Sequence, residues 1–319
     1  KDAVLRQYVQ NIIIFSIWHF ICLYLITMRL QRTLREEIII EGIGLHTGSF
    51  SRVCIKPAPR DSGIVFVRTD RDVAIRANVN SVSDTAFATT LGYNGTKVRT
   101  VEHVLAALSG LGIDNAVIEV NGKEMPILDG SSLEISDLII KSGIAKQSKK
   151  RPYIKITSPV TLSEGNSEIA VVPYNGRRIT YRIHFNHHFL GEQAMSIELT
   201  EENFMMEIAP ARTFGFLKDV EYLKANGFAR GGSFENAIIL GDQGVLNSTG
   251  LRYRDEFVRH KILDLIGDFS LCGFPIYGHI IANKSGHTTN IKFIKKLLMN
   301  TDHWELVSEN TQQPAVIYS

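Results

Sequence analysis

The sequence contains little cysteine. Its 319 residues include only Cys22, Cys54 and Cys272, which lie far apart and form no CxxC pair. An odd number of scattered cysteines argues against a disulfide framework and against a zinc site built from cysteine thiolates. This use of cysteine is typical of a protein that works in a reducing compartment.

The chain also lacks a strong excess of charge, a low-complexity segment and a clear internal repeat. It has 35 lysines and arginines against 33 aspartates and glutamates, which gives a formal net charge of +2. This balance provides no general attraction to nucleic acid, so we expect no nucleic-acid partner. A hydrophobic content of 44% over this length fits one large or two medium globular domains.

One hydrophobic run is present near the N-terminus, at residues 12–28, and it carries no formally charged side chain. Its length is at the lower limit for a membrane span, and the arginines that follow would favour a cytoplasmic C-terminal side if it inserted. No small-residue cleavage site follows the run, which argues against a cleaved signal peptide. Three interpretations of residues 1–27 stay open: a translated region upstream of the working protein, a membrane anchor, or a buried helix.

From Glu36 onward, short strands alternate with amphipathic helices. Apolar residues at helical spacing, ending in glycine, predict helices over residues 100–112 and 131–143 in the first half. The second half repeats the strand and helix pattern and includes predicted helices over residues 256–273 and 290–300. These patterns predict a mixed fold of strands and helices in both halves.

The basic, polar stretch KQSKKRPY separates the two halves and predicts a linker. We therefore divide the chain into four parts. These are a hydrophobic leader of doubtful status at residues 1–27, an N-terminal α+β domain at 28–145, the linker at 146–153 and a C-terminal α+β domain at 154–319.

The segment RHKILDLIGD, residues 259–268, combines an apolar stripe with ionisable residues at steps of four. His260, Asp264 and Asp268 stand at i, i+4 and i+8 and therefore line one side of the predicted helix. An imidazole and a carboxylate one turn apart can bind one metal ion, or they can simply pair with each other. The pattern alone leaves both interpretations open.

Two further places carry ionisable residues in unusual surroundings. Glu102 and His103 are neighbours inside an otherwise apolar helix, where they lie either at a helix edge or at a common cavity. His287 follows a Ser-Gly turn in KSGHTTN, and a loop histidine after glycine is often merely exposed.

Taken together, these residues predict a catalytic metal site. Two histidines and one aspartate leave a fourth position for water, which is typical of catalytic rather than structural zinc. Zinc activates water and polarises a carbonyl, and hydrolysis then needs a base and an acid, roles that Glu102 and His287 can fill. Asp268 can accept a hydrogen bond from His287 and keep it charged.

Longer segments of the chain resemble the UDP-3-O-acyl-N-acetylglucosamine deacetylases, the zinc amidases of bacterial lipid A synthesis. The resemblance extends from about Leu30 to the C-terminus, and its segments occur in the family's order. They are EGIGLHTG, TVEHVLAALSGLGIDNAVIEV, MPILDGSS, APARTFGF, GGSFENAIIL, LRYRDEFVRHKILDLIGD and KSGH. The hydrophobic run at residues 12–28 has no counterpart in the family.

The resemblance implies a role for each of ten residues. The implied zinc ligands are His103, His260 and Asp264, the implied general base is Glu102, and the second catalytic histidine is His287, oriented by Asp268. For the substrate, the Thr213 hydroxyl would face the tetrahedral intermediate, Lys261 would lie near the nucleotide phosphates, and Phe214 and Phe216 would line the cleft.

The implied reaction is zinc-dependent hydrolysis of the N-acetyl group of UDP-3-O-acyl-N-acetylglucosamine, which gives acetate and the free 2-amino sugar nucleotide. Glu102 would take the proton of the water, while the His287 imidazolium and the Thr213 hydroxyl stabilise the oxyanion. The leaving amine would receive its proton from His287 or from Glu102. Two other classes stay open: an amidase for another sugar or acyl substrate, and a non-catalytic binding protein with the same fold.

The implied fold consists of two similar α+β domains, each a sheet with helices on one face, with the helices packed between the sheets. A βαβ element inserted around the helix from about Phe216 to Asn226 would form an apolar passage for the acyl chain. Burial of each methylene there would stabilise binding by roughly 0.8 kcal/mol. We expect a cytoplasmic monomer of Gram-negative bacteria that is peripheral to the inner membrane, or anchored in it if residues 12–28 form a true anchor.

Overall fold

The computed structural model describes residues 29–308. The predicted leader and the candidate membrane anchor therefore lie outside the described residues. Between residues 29 and 308, no helix has the length and apolar character needed to cross a membrane.

The first half of the chain is built on a five-stranded sheet of order β2-β3-β9-β4-β5, in which only β4 and β9 are parallel. Two helices and two smaller sheets accompany it. The strands are β1 (Leu30–Leu34), β2 (Ile38–Ile43), β3 (Phe50–Pro57), β4 (Ile64–Arg68), β5 (Val73–Arg76), β6 (Val82–Asp84), β7 (Thr90–Tyr93), β8 (Thr96–Val98), β9 (Ala116–Asn121) and β10 (Ile144–Lys150). The helices are α1 (Glu102–Gly110) and α2 (Leu133–Ser142).

The second half is built on a seven-stranded sheet in which β19 pairs with β11, β13 and β14. The seven strands of this sheet are β11 (Tyr153–Ile156), β12 (Val160–Glu164), β13 (Ser167–Val172), β14 (Arg177–His184), β15 (Glu192–Glu198), β19 (Ile276–Asn283) and β20 (Trp304–Val307). A separate three-stranded sheet contains β16 (Phe214–Phe216), β17 (Ile238–Gly241) and β18 (Gly244–Val245). The helices of this half are α3 (Glu201–Asn203), α4 (Leu217–Ala225), α5 (Glu256–Ser270) and α6 (His287–Met299). The predicted α+β class is confirmed.

The stretch expected to be a linker has regular structure over most of its length. Residues 146–150 belong to β10, which pairs antiparallel with β1 in a register that places Leu34 opposite Ile144. Only Arg151 and Pro152 lie between β10 and β11. The polar composition therefore reflects a strand, β10, that has no buried residue, and the domain boundary at this point stays a prediction.

Helices α1 and α5 pack against each other in the interior and connect the two halves. Almost every side chain of both helices is buried, as expected for helices covered on several sides. Gly267 permits the contact, because a Cβ atom at this position would lie 2.1 Å from the carbonyl oxygen of Glu102. The backbone of α5 therefore touches the N-terminal turn of α1, where Glu102 and His103 are located.

A strand-helix-strand unit follows in the second half. Strand β16 runs parallel to β17, with Phe214 opposite Ile238, and α4 lies between them in the chain. Helix α4 exposes most of its surface and buries none of its residues completely. The unit has the connectivity expected around residues 216–226, and its function as an acyl passage stays a prediction.

Candidate active site

The first two residues of α1 contribute two buried ionisable side chains. Glu102 and His103 are both nearly inaccessible to solvent. The backbone N–H of Thr89 donates a hydrogen bond of 3.0 Å to Oε2 of Glu102, which fixes that carboxyl group. Since α1 contacts α5 at this end, both side chains of α1 face the ionisable residues of α5.

Three side chains converge where the two helices meet. The Nε2 atom of His260 lies 3.3 Å from Oδ1 of Asp264, and Nε2 of His103 lies 3.8 Å from the same oxygen. The His260 ring is oriented by its Nδ1 atom, which lies 3.1 Å from the carbonyl oxygen of Ala211. The structure thus brings together the three predicted ligands, although His103 and Asp264 are far apart in the sequence.

The two oxygens of Asp264 have different partners. The Lys261 ammonium donates a hydrogen bond of 2.7 Å to Oδ2, whereas Oδ1 faces the two imidazoles. Burial by itself would raise the pKa of Asp264, but the positive charges of Lys261 and His287 outweigh burial and hold the pKa below its usual range. The carboxyl group is therefore ionised, and Oδ1 is the oxygen that can bind a cation.

The two imidazoles are held in the neutral form that metal binding requires. Burial, together with the neighbouring His260, lowers the pKa of His103 to about 3. Burial also lowers the pKa of His260. Two neutral imidazole nitrogens and one carboxylate oxygen form a donor set suited to zinc or another divalent transition metal.

His287 belongs to a separate hydrogen-bond network centred on Asp268. The Nδ1 atom of His287 lies 2.8 Å from Oδ2 of Asp268, which also accepts a hydrogen bond of 2.8 Å from the Asn290 amide. The Thr89 hydroxyl donates to the other oxygen, Oδ1, at 2.5 Å. The carboxylate is completely buried and has a donor on both oxygens, so it holds His287 in one orientation.

The structure places His287 at the first position of α6 rather than in the expected loop. The positive end of a helix disfavours an imidazolium, and burial also disfavours it. The contact with the Asp268 carboxylate outweighs both effects and raises the pKa of His287 to about 9. His287 is therefore protonated at neutral pH and can donate a hydrogen bond through Nε2.

Glu102 and His287 face each other across the site. The Nε2 atom of His287 lies 4.0 Å from Oε1 of Glu102. Burial raises the pKa of Glu102 to about 8, and the positive charge of His287 only partly opposes this increase. A divalent cation at the adjacent ligands would add positive charge and would lower the pKa of Glu102 from this raised value. The lower pKa favours the ionised form that a general base needs.

Among residues 29–308, two sets of three residues have ligand atoms within 4.8 Å of one another, and the two sets share Asp264. One set adds His103 and His260, and the other adds Glu102 and His287. The first set fits a cation better, because its histidines are neutral. In the second set, the contact with Asp268 keeps His287 protonated and leaves Nε2 without a lone pair.

Thr89 and Asn290 were not identified from the sequence, although both contact the Asp268 carboxylate. Asn290 stands three residues after His287, so helical spacing in KSGHTTN could have indicated that both side chains lie on one face. No local pattern points to Thr89, because it reaches the site through contacts with residues of α1 and α5 that are distant in the sequence.

An aromatic cluster lies beside the ligand set. The Phe214 ring lies 6.4 Å from the His260 ring and 5.8 Å from Phe185, and Phe185 lies 5.6 Å from Phe216. The ring of His187 also packs on Phe216, at 5.4 Å. Phe214 and Phe216 are only half-buried, so they present apolar surface at the edge of the site.

Thr213 and Lys261 are tied to this cluster. The backbone of Thr213 is held on both sides, since its N–H donates to Gly130 and its carbonyl accepts from Ile238, each at 2.8 Å. Its side chain is partly exposed. The Lys261 ammonium lies 5.9 Å from the centre of the Phe214 ring while it pairs with Asp264. The predicted roles of both residues toward substrate stay predictions.

Comparison with known proteins provides independent information about this chain. A family model described as UDP-3-O-acyl N-acetylglycosamine deacetylase matches residues 31–299. The chain is 52% identical over 282 residues to the UDP-3-O-acyl-N-acetylglucosamine deacetylase of Thermodesulfovibrio yellowstonii, which covers 88% of this chain and 96% of that protein. It is 44% identical over 295 residues to the enzyme of the same name from Shewanella violacea, covering 91% of this chain and 96% of that protein.

Proposed function

Because the chain belongs to the UDP-3-O-acyl N-acetylglycosamine deacetylase family, we propose that it hydrolyses the N-acetyl group of UDP-3-O-acyl-N-acetylglucosamine. The products are acetate and UDP-3-O-acyl-glucosamine, and the reaction is the committed step of lipid A biosynthesis. The cofactor in this proposal is one zinc ion per chain, and the cytoplasmic location expected from the resemblance is part of the same proposal.

The observation that carries the proposal is the convergence of His103, His260 and Asp264 beside the Glu102 and His287 pair. The three ligand atoms lie within 4.8 Å of one another, in protonation states that suit a cation. A zinc ion bound there would polarise the amide carbonyl and make the attacking water more acidic. In this proposal the ligands and the acid/base pair come from three different helices, α1, α5 and α6.

Each catalytic side chain has a defined task in the proposed mechanism. Glu102, as carboxylate, accepts the proton of the attacking water. His287, held as an imidazolium by Asp268, points Nε2 into the site and donates a hydrogen bond to the oxyanion that develops from the amide carbonyl. The Thr213 hydroxyl provides a second donor to that oxygen. The collapse of the tetrahedral intermediate then needs a proton on the leaving amine, which His287 or Glu102 delivers.

Substrate binding involves the residues around β16 in this proposal. The exposed parts of Phe214 and Phe216 bind the apolar portion of the substrate, and the unit from β16 to β17 holds its acyl chain. Lys261 attracts the nucleotide phosphates with its positive charge. An apolar passage allows a protein to hold a lipid chain away from water, with roughly 0.8 kcal/mol gained for each buried methylene.

The direct test combines metal analysis with acetate release from UDP-3-O-acyl-N-acetylglucosamine. We expect the wild-type protein to contain about one zinc per chain and to release acetate in step with the amine product. The variant His260→Ala should lose most of its zinc and its turnover, because two protein ligands bind the ion poorly. The control is His184→Ala, which removes an exposed histidine on β14. Normal zinc content and turnover in His260→Ala would contradict the ligand assignment.

A further inference from the structure

A cavity lies between the two halves of the molecule, and none of the residues given catalytic, ligand or substrate roles above lines it. Its volume is about 720 Å³, within the usual range for small-molecule sites. We call it the α1–α5 cavity, because both helices form its floor. Buried apolar side chains of α1, α5 and β19 supply that floor: Leu105, Leu108, Leu265, Ile266, Phe269 and Ile280.

Most charged groups that line the α1–α5 cavity already have partners. Lys149 pairs with Asp61 at 2.8 Å, and Arg151 pairs with Asp114 at 2.6 Å. Asp114 also receives Arg29 at 3.4 Å. The carboxylates on the wall are therefore already shared among other cations.

Arg177 also lines the α1–α5 cavity, but it lacks a close ion-pair partner among the described residues. Within residues 29–308 no carboxylate lies within ion-pair distance of its guanidinium, and its only side-chain hydrogen bond is a long one of 3.4 Å to the Ser109 hydroxyl. Arg177 is partly buried. Burial lowers the pKa of Arg177, and the Asp114 carboxylate, which lies beyond ion-pair distance, opposes this decrease. A cation in such surroundings is costly unless an anion or a set of acceptors meets it. An anion bound in the cavity would give Arg177 the close partner that the described residues do not provide.

We propose that the α1–α5 cavity is a second ligand site, which binds a carboxylate with a hydrocarbon chain. The carboxylate would pair with the Arg177 guanidinium, which presents two parallel N–H donors. The chain would lie against the apolar floor that α1, α5 and β19 form. An inorganic anion would contact only the Arg177 guanidinium, and a neutral hydrocarbon would contact only the apolar floor.

The binding test uses the full chain and sodium decanoate, with isothermal titration calorimetry as the measurement. We expect saturable binding that weakens by about three- to fourfold for each methylene removed in the series decanoate, nonanoate and octanoate. Arg177→Gln should weaken decanoate binding about tenfold or more, because the charge-assisted hydrogen bonds are lost. The matched control is Arg182→Gln, which makes the same change on the same strand, at an exposed arginine that pairs with Glu192.

The variants distinguish decanoate bound in the α1–α5 cavity from decanoate bound in the proposed acyl passage. Equal affinity of wild type and Arg177→Gln for decanoate would overturn the proposal, as would binding of acetate or phosphate as strong as that of decanoate. Decanoate can also enter the proposed acyl passage, so Phe216→Ser is measured in parallel. Binding that is lost in Phe216→Ser and kept in Arg177→Gln would place the ligand in the passage and reject the α1–α5 cavity.

Discussion

At the scale of single residues, the Asp268 carboxylate sets the charge of the histidine that faces substrate. The carboxylate is buried, has donors on both oxygens, and lies 2.8 Å from Nδ1 of His287. It raises the pKa of His287 to about 9, although burial and the helix N-terminus act in the opposite direction. The protonation state of His287 thus depends mainly on one neighbour.

This dependence predicts the pH profile of the reaction. We expect kcat/KM to be bell-shaped, since Glu102 must be ionised to act as a base and His287 must be protonated to stabilise the oxyanion. Rate is lost on the acidic side as Glu102 gains a proton, and on the basic side as the raised pKa of His287 is passed. In Asp268→Asn the imidazolium loses its carboxylate partner, so the basic limb should move to lower pH. The measurement is a pH–rate series for both proteins, and an unmoved basic limb would show that another group sets it.

Separate replacements of the two catalytic residues distinguish chemistry from metal binding. Glu102→Gln and His287→Ala should each lower kcat by about 100-fold or more while zinc stays bound, because neither residue is a proposed ligand. His287→Ala should also flatten the basic limb. The measurements are kcat and zinc content of the same samples. If His287→Ala kept the wild-type basic limb, the role given to His287 would have to be withdrawn.

At the scale of elements, the contact between α1 and α5 determines the geometry of the site. The two helices come from different halves of the chain, and their backbones touch at Gly267 and Glu102. Helices that carry large side chains at a crossing are held 8–10 Å apart, and a glycine at the contact removes that limit. The short approach brings His103 of α1 within reach of His260 and Asp264 of α5.

The variant Gly267→Ala tests this contact. A Cβ atom 2.1 Å from the carbonyl oxygen of Glu102 cannot be accommodated unless the helices separate. We expect a loss of about 1–3 kcal/mol in the free energy of unfolding, which exceeds the gain in helix propensity from alanine, and a larger loss of zinc affinity and turnover. Urea denaturation measures the stability. The control is Gly215→Ala, where no atom lies within 4 Å of the new Cβ atom, and equal stability of the two variants would contradict the packing argument.

At the scale of the whole molecule, residues 29–308 contain both large sheets, the six helices and every residue assigned to the site. The ten residues that are given ligand, catalytic or substrate roles lie between Glu102 and His287, far in sequence from the hydrophobic run at residues 12–28. The family model also matches from residue 31 onward.

A chain that begins at Met28 should therefore fold and hydrolyse the substrate with the same kcat as the full chain. The physical reason is that both large sheets and the α1–α5 contact, as described, are built from residues 29–308. Circular dichroism and acetate release, measured on both chains side by side, check this expectation. If the shorter chain failed to fold while the full chain worked, residues 1–27 would be part of the structure.

The sequence by itself determined the features that depend on neighbours along the chain. The spacing of His260, Asp264 and Asp268 on one helix follows from the periodicity of the helix, and the α+β class follows from alternating apolar patterns. The tertiary structure decided which distant residues meet. It placed His103 beside Asp264, gave the second oxygen of Asp264 to Lys261, and brought Thr89 to Asp268.

In the tertiary structure most of the expected linker forms strand β10, and His287 lies on the first turn of α6. These features depend on contacts between segments far apart in sequence. Strand β10 exists because β1 supplies its hydrogen-bond partner, and the charge of His287 is set by a carboxylate on another helix. Local periodicity carries no information about such partners, because they are chosen by the packing of the complete chain.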